Sequence, residues 1–189
     1  MGIKFRYVRD YFAKSKLYAI FMWIFELTVV IGLGILVAVF FCQNIEMTEG
    51  SMEPTISASD VLLVNNMAYK FATPKRDDVI VFRSNNSANA SVYIKRVIGL
   101  PGEKIQIRDG QILIDGVTYM EQKDLPSIAY AGLAEREITL ASNEYFVLGD
   151  NRNNSADSRY SDIGNVKRGQ IVGKAWFRLA PYAKMGFIK

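Results

Sequence analysis

The stretch "SVYIKRVI", residues 91–98, predicts a β-strand, because its side chains alternate between two faces with a period of two. In this strand Lys95 lies between Tyr93 and Val97, on a face that the pattern predicts to be half buried. Most lysines in strands keep their ammonium groups in water. Since the chain contains no histidine to act as a base near neutral pH, a partly buried Lys95 is a candidate general base.

Further strands are predicted on both sides of this stretch. Four runs rich in β-branched and aromatic residues, each bounded by turn formers, are 61–66, 78–82, 144–148 and 170–178. The sequence "KIQIRDGQILIDG" predicts a hairpin, because Asp109-Gly110 can supply the positive φ angles of a two-residue turn. Residues 121–143 have weak periodicity and predict a short helix or an irregular segment. Residues 43–189 show neither repeats nor a Gly/Pro-rich linker, so they are predicted to form one mainly β domain.

Residues 17–42 predict a transmembrane helix. This apolar stretch carries one charge, Glu26, and at 1.5 Å per residue it would reach roughly 39 Å, enough to cross a hydrocarbon core of about 30 Å. A cleaved signal peptide is the alternative, but its apolar core would run for only about 7 to 15 residues and end at small residues, whereas residues 37–42 are bulky. Cys42, the single cysteine, cannot form an intrachain disulfide and is expected to be a small apolar residue at the helix end.

The positive charge of the chain is concentrated before this helix. Residues 1–16 carry five basic residues against one acidic residue, and after them basic and acidic residues are equal in number. A basic tail ahead of an apolar segment indicates the cytoplasmic side of a membrane. Residues 1–16 are therefore predicted to lie in the cytoplasm and residues 43–189 outside it, with the lipid bilayer as a partner. No basic stripe is left to indicate binding to nucleic acid.

The absence of histidine also excludes Ser-His-Asp and Cys-His catalysis and makes a zinc site improbable. A nucleophile would then need a lysine or a carboxylate as its base. The segment "EGSMEPTI", residues 49–56, offers Ser51, because Gly50 permits a sharp turn before it and Pro54 prevents a helix from continuing. Serines and prolines are common in loops, so this segment alone would indicate a solvated turn.

Four ordered segments behind the apolar helix resemble the type I signal peptidases, bacterial membrane-anchored serine proteases with a serine/lysine dyad. They are "SMEPT" (51–55), "DDVIVF" (77–82), "YIKRVIGLPGE" (93–103) and "GDNRNNSADSR" (149–159). The modest distance between Lys95 and Gly149 resembles the compact Gram-positive forms. The resemblance implies a signal-peptidase-type antiparallel β catalytic domain after one transmembrane helix. It also implies secretory preproteins as substrates, cut after small residues at an A-x-A-like site.

The resemblance implies roles for particular residues. Ser51 would be the nucleophile and Lys95 the general base. Ser155 matches the serine that orients the lysine, while Asp157 and Arg159 match an acid and a base that brace the site; without the resemblance, that pair would be a surface salt bridge of little energetic worth. The positions that line shallow pockets for small substrate side chains are Met52, Ile56, Tyr93 and Ile94. No metal or cofactor is implied.

A lysine base needs a lowered pKa. At an ordinary pKa of about 10.4, only about 0.04% of lysine side chains are neutral at pH 7. Burial of Lys95 between Tyr93, Val97 and the Ser51 loop would disfavour the ammonium, and a pKa near 8 would leave about a tenth of the molecules neutral. Such an amine could accept the Ser51 proton during attack on the scissile carbonyl.

Glu49 departs from the family pattern. The family usually places a serine hydroxyl or a glycine N–H two residues before the nucleophile as an oxyanion donor, and a carboxylate cannot donate. We expect Glu49 to face solvent.

An inactive relative that acts as a binding or assembly factor for surface proteins is the alternative function, although retention of Ser51 and Lys95 argues against it. A second alternative is an aspartic or metal hydrolase. The sequence does not support it, because it shows neither metal ligands nor paired carboxylates in a suitable context.

Overall fold

The computed structural model describes residues 4–84, 91–121, 123 and 125–188 of the 189-residue chain. Two compact units are present, Met1–Phe41 and Cys42–Lys189. From the sequence this boundary is predicted after residue 42. It separates an apolar helical segment from a domain made mostly of strands.

The first unit is an α-helix, α1, Lys4–Phe41. Its segment Lys16–Ile35 has a mean hydropathy of 2.0 and is exposed throughout, so it is long and apolar enough to cross a membrane. The helix also includes residues 4–16 of the predicted basic tail, whose first three residues lie outside the described part of the chain. The expectation that Cys42 ends this helix is wrong, because Cys42 pairs with Asn65 and begins a strand.

The second unit is built from short strands and a single-turn helix, α2, Ala68–Phe71. In chain order the strands are β1 Cys42–Glu46, β2 Val61–Asn65, β3 Val79–Arg83, β4 Val92–Gly99, β5 Lys104–Arg108, β6 Gln111–Ile114, β7 Val117–Thr118, β8 Ile138–Thr139, β9 Glu144–Leu148, β10 Val166–Lys167, β11 Ile171–Ala180 and β12 Gly186–Phe187. Short 3₁₀ helices lie at Gly132–Glu135, Arg168–Gln170 and Tyr182–Lys184.

These strands form two antiparallel sheets, which confirms the predicted mainly β fold. The order in the larger sheet is β1-β2-β11-β3-β4-β9-β10, with β12 paired to β11, and the order in the smaller sheet is β7-β6-β5-β8. The predicted hairpin is also confirmed: Arg108 pairs with Gln111, and Asp109 and Gly110 both have positive φ angles. The irregular region 121–143 contains one 3₁₀ helix and the two-residue strand β8.

Strand β4 lies inside the larger sheet, between β3 and β9. Residues Ile94 to Gly99 are all buried, so the face predicted to be half buried is fully buried at Lys95. The reason is that apolar clusters cover both faces of the strand: Ile94 and Ile98 belong to two different clusters, and Val97 on the opposite face belongs to a third. The fold thereby removes the middle of β4 from water.

Candidate active site

Ser51 lies in a tight turn that follows β1, and only 4% of its surface is exposed. The turn is closed locally by a hydrogen bond from the Ile56 N–H to the Met52 carbonyl, 2.9 Å. It is also held from a distant segment, because the Asn151 N–H donates to the Ser51 carbonyl and the Asn151 side-chain amide donates to the Gly50 carbonyl, both at 3.1 Å. The position of Ser51 is therefore defined by residues that follow β9 as well as by its own loop.

Lys95 reaches Ser51 from the middle of β4. Its Nζ lies 2.6 Å from Ser51 Oγ, in hydrogen-bonding contact, and its side chain is fully buried. The ring centre of Tyr93 lies 5.7 Å from the same Nζ. A nucleophile and a base within hydrogen-bonding distance are the arrangement that proton transfer during nucleophilic attack requires.

The pKa of Lys95 is lowered from its ordinary value of 10.5, and the main cause is burial of the ammonium. The carboxylates of Glu49 and Asp157 act in the opposite direction, since their negative charge favours the protonated lysine. Burial outweighs both. Neutral Lys95, the form that can accept a proton, is thus more abundant near neutral pH than it would be for a lysine in water.

This direction predicts the pH dependence of activity. Since only neutral Lys95 can act as a base, kcat/KM for peptide cleavage should rise with pH and level off at a pH below 10.5, where an exposed lysine would still be largely protonated. The measurement is kcat/KM of the detergent-solubilised chain from acidic to alkaline pH. Activity that is highest in acid and falls through neutral pH would indicate a carboxylate base and contradict this assignment.

Asp157 and Arg159 form a two-bond ion pair, Nε to Oδ1 and Nη2 to Oδ2, both 2.8 Å, and both side chains are buried. The Gly149 N–H also donates to Asp157, at 3.1 Å, and Arg159 donates to the Tyr130 carbonyl. The pair is therefore an internal brace, and the alternative of a surface salt bridge is wrong. It was attractive only because sequence alone does not report burial.

The burial of this pair predicts a large effect on stability. Asp157→Asn should lower the free energy of unfolding by about 3–5 kcal/mol, because it leaves the Arg159 guanidinium buried without its counter-ion. Unfolding by heat or urea, followed on the purified chain, measures this loss. Glu137→Gln is the matched control, since Glu137 forms an exposed pair with Lys104 and its loss should change stability very little. Equal effects of the two substitutions would contradict the bracing role.

Ser155 lies next to the dyad without the contact that the resemblance implies. Its side chain is 8% exposed, and Ser155 Oγ has no hydrogen-bond partner among the described residues, Lys95 included. It packs closely against Gly149: a Cβ at position 149 would overlap the Ser155 hydroxyl and the Ser51 carbonyl, so only glycine fits there. The structure thus brings Ser155 to the Ser51 loop but leaves its hydroxyl free.

Two clefts lie beside Ser51. The first, ≈ 250 Å³, lies between the end of β1 and the start of β4, and Tyr93 and Ile94 line it. The second, ≈ 450 Å³, is lined by Ser51 itself and by Ser155. Tyr93 and Ile94, two of the residues for which the resemblance implies substrate contact, thus line a cleft, and their role in binding substrate stays a prediction.

Met52 and Ile56 have a different position. Both side chains are fully buried, in the same apolar cluster as Ile94, and they do not line either of these two clefts. Through this cluster they are packed together with Ile94, which lines the first cleft. Among the described residues, no group of three or more potential metal ligands is present.

A second buried ion pair was missed in the sequence. Arg96, the residue after Lys95, donates to both carboxylate oxygens of Asp150 at 2.7 and 2.6 Å. Thr55 also donates to Asp150, and Lys123 Nζ lies 2.7 Å from the Thr55 hydroxyl. Burial raises the pKa of Asp150, but the hydrogen bonds and positive charge of Arg96 outweigh it and hold the pKa below its ordinary value of 3.8. One signal was available: an arginine on the apolar face of β4 needs an internal partner.

Comparison with known proteins shows the family to which this chain belongs. The sequence model of the family described as signal peptidase, peptidase S26, matches residues 20–180. The chain is 37% identical over 166 residues to signal peptidase I of Leptolyngbya laminosa, covering 85% of this chain and 78% of that protein. It is 35% identical over 159 residues to signal peptidase I of Bacillus caldolyticus, covering 78% and 85%.

Among solved structures, the crystal structure of a signal peptidase I from Enterococcus faecalis V583 is 32% identical, with 55% of this chain and 97% of that chain covered and a TM-score of 0.42. The family match spans most of the chain, and the chain therefore belongs to the signal peptidase family, peptidase S26. Within that family the relatives it matches are signal peptidase I enzymes, and the predicted peptidase class is confirmed.

Proposed function

We propose that this signal peptidase is a membrane-anchored serine endopeptidase that cuts secretory preproteins after small residues, at an A-x-A-like site, with Ser51 as nucleophile and Lys95 as general base. The single observation that supports this mechanism most strongly is the 2.6 Å contact between Lys95 Nζ and Ser51 Oγ inside the protein. A buried lysine without a direct carboxylate partner has little structural value, because burial disfavours its charge. Its position is explained by proton transfer.

The proposed reaction has two stages. Neutral Lys95 accepts the Ser51 proton as Ser51 Oγ attacks the scissile carbonyl, and the resulting ammonium gives that proton to the leaving amine. A water molecule, deprotonated by the same lysine, then hydrolyses the acyl-enzyme. The backbone N–H of Ser51 makes no hydrogen bond within the described part of the chain, so it is available to stabilise the oxyanion.

The dyad predicts the effect of removing either side chain. Ser51→Ala and Lys95→Met should each abolish cleavage of a preprotein, and the double variant should be scarcely worse than either single variant, because the two groups act as one unit. Single-turnover cleavage of a purified preprotein measures this. Lys70→Met, at an exposed lysine of α2, is the matched control and should keep wild-type activity.

Stability separates catalysis from folding in this experiment. Lys95→Met should leave the unfolding midpoint unchanged or raise it, because an apolar side chain of similar length replaces a buried amine. Substantial turnover by Lys95→Met would contradict the assignment of the base.

The alternative function, an inactive assembly factor, requires instead that the wild-type chain binds preproteins without cutting them. The close contact of Ser51 with Lys95 argues against that alternative.

For the membrane we propose a single-pass topology with the N-terminus in the cytoplasm and the β domain outside. The supporting features are the exposed apolar segment Lys16–Ile35 and the basic residues that precede it. Secretory preproteins emerge on the outer side of the membrane, where this domain would meet their signal peptides.

The topology predicts which residues an impermeant thiol reagent can reach. In a Cys42→Ser background, Ser142→Cys in the exposed turn 141–143 should be labelled on intact spheroplasts as fully as after lysis. A cytoplasmic marker protein must remain unlabelled before lysis in the same sample. Labelling of Ser142→Cys only after lysis would show that the β domain is cytoplasmic.

A further inference from the structure

Glu49 lies where the two clefts beside Ser51 adjoin, because it lines both of them. Its side chain is exposed, as the sequence led us to expect. A second exposed glutamate, Glu46 at the end of β1, lines the first cleft. Within the described part of the chain neither carboxylate makes a hydrogen bond or an ion pair, and no lysine or arginine lines either cleft. The mouth of the site thus carries uncompensated negative charge.

The second cleft also carries an unsatisfied hydroxyl. Ser155 is more than nine-tenths buried and lines this cleft together with Ser51, yet its Oγ has no partner among the described residues. Buried polar groups are normally hydrogen-bonded, and an unpaired one is unfavourable. A bound peptide, which carries an N–H and a carbonyl at almost every residue, would satisfy it. This feature indicates that the acidic cleft receives a polypeptide and is not simply a patch of surface charge.

The position of Glu49 is unfavourable for the chemistry when the substrate is neutral. Its carboxylate favours the protonated form of Lys95, which cannot act as a base. It also lies two residues from Ser51, where negative charge develops on the oxyanion. A positive charge bound beside Glu49 would offset both effects. The cation would have to come from the substrate, since neither cleft has a basic side chain of its own.

We propose that Glu49, assisted by Glu46, makes this peptidase select substrates with a lysine or arginine close to the scissile bond and reject those with an acidic residue there. The proposal rests on the proposed peptidase function and adds a substrate class to it. An exposed ion pair changes binding affinity by about two- to fivefold. A positive substrate side chain would also offset the Glu49 charge in the transition state, which increases the difference in kcat/KM further. Lysine and glutamate substrates should therefore differ by about tenfold or more in kcat/KM.

The experiment uses the full chain in neutral detergent and matched fluorogenic peptides. The small residues of the A-x-A-like site are kept, and either the position between them or the first position after the scissile bond is Lys, Gln or Glu. For at least one of these positions, wild-type kcat/KM should fall in the order Lys, Gln, Glu. Glu49→Gln should bring the three values within about twofold, and Glu49→Lys should reverse the order. Glu135→Gln, at an exposed glutamate beyond both clefts, is the matched control and should keep the wild-type order.

Binding to the uncleaving variant Ser51→Ala separates this inference from the proposed function. Its affinity for the three peptides should follow the same order, and the order should weaken as salt screens the charges. Charge selection would be overturned if the wild-type chain cleaved the Lys, Gln and Glu peptides with equal kcat/KM, or if Glu49→Gln kept the wild-type order of kcat/KM. Either result would leave the peptidase function standing. If Ser51→Ala binds the peptides in the order Lys, Gln, Glu but the wild-type chain cleaves none of them, charge selection is supported and the peptidase function is overturned. If the peptides are neither cleaved nor bound, both charge selection and the peptidase function are overturned.

Discussion

The burial of one amine against one hydroxyl, Lys95 Nζ on Ser51 Oγ, is the contact on which the rest of this structure depends. A lysine in water is protonated and useless as a base, and burial changes this because the ammonium loses its hydration. Strand β4 provides that burial from inside the larger sheet, where apolar clusters cover both of its faces. The sheet is thus part of the chemistry, since an edge strand would leave the amine in contact with water.

The charged residues around the dyad are arranged so that Lys95 keeps no direct counter-ion among the described residues. Asp157 is held by Arg159 and Asp150 by Arg96, each through two hydrogen bonds. Of these carboxylates, Asp157 still favours protonated Lys95, and burial of the amine outweighs this effect. The Arg96–Asp150 pair connects β4 with the segment after β9, and Thr55 of the Ser51 loop donates to the same carboxylate, so these contacts hold the three segments together.

The charges of Glu49 and Asp157 both act on Lys95, but Asp157 is paired with Arg159, whereas no described residue pairs with Glu49. A protein that pairs its buried carboxylates but leaves Glu49, like Glu46, unpaired at the cleft mouth retains an interaction that a substrate can complete. In this view the same side chain that disfavours the chemistry of a neutral peptide improves the discrimination between peptides. Specificity and rate are then coupled through a single electrostatic interaction.

The sequence by itself determined seven of the twelve strands in the described residues, the Asp109-Gly110 turn and the apolar helix, because these follow from patterns between neighbouring residues. The short strands β7, β8, β10 and β12, and β1 directly after the helix, were not predicted. Through the family resemblance the sequence also predicted roles for Ser51 and Lys95, whose side chains the structure brings into contact. Only the tertiary structure decided that the Ser155 hydroxyl has no partner among the described residues, and that Met52 is fully buried in an apolar cluster and lines neither cleft. The physical reason is that hydrogen-bond partners and burial depend on which distant segments pack together, and residues 51, 95 and 155 meet only when β1, β4 and the chain after β9 assemble around one core.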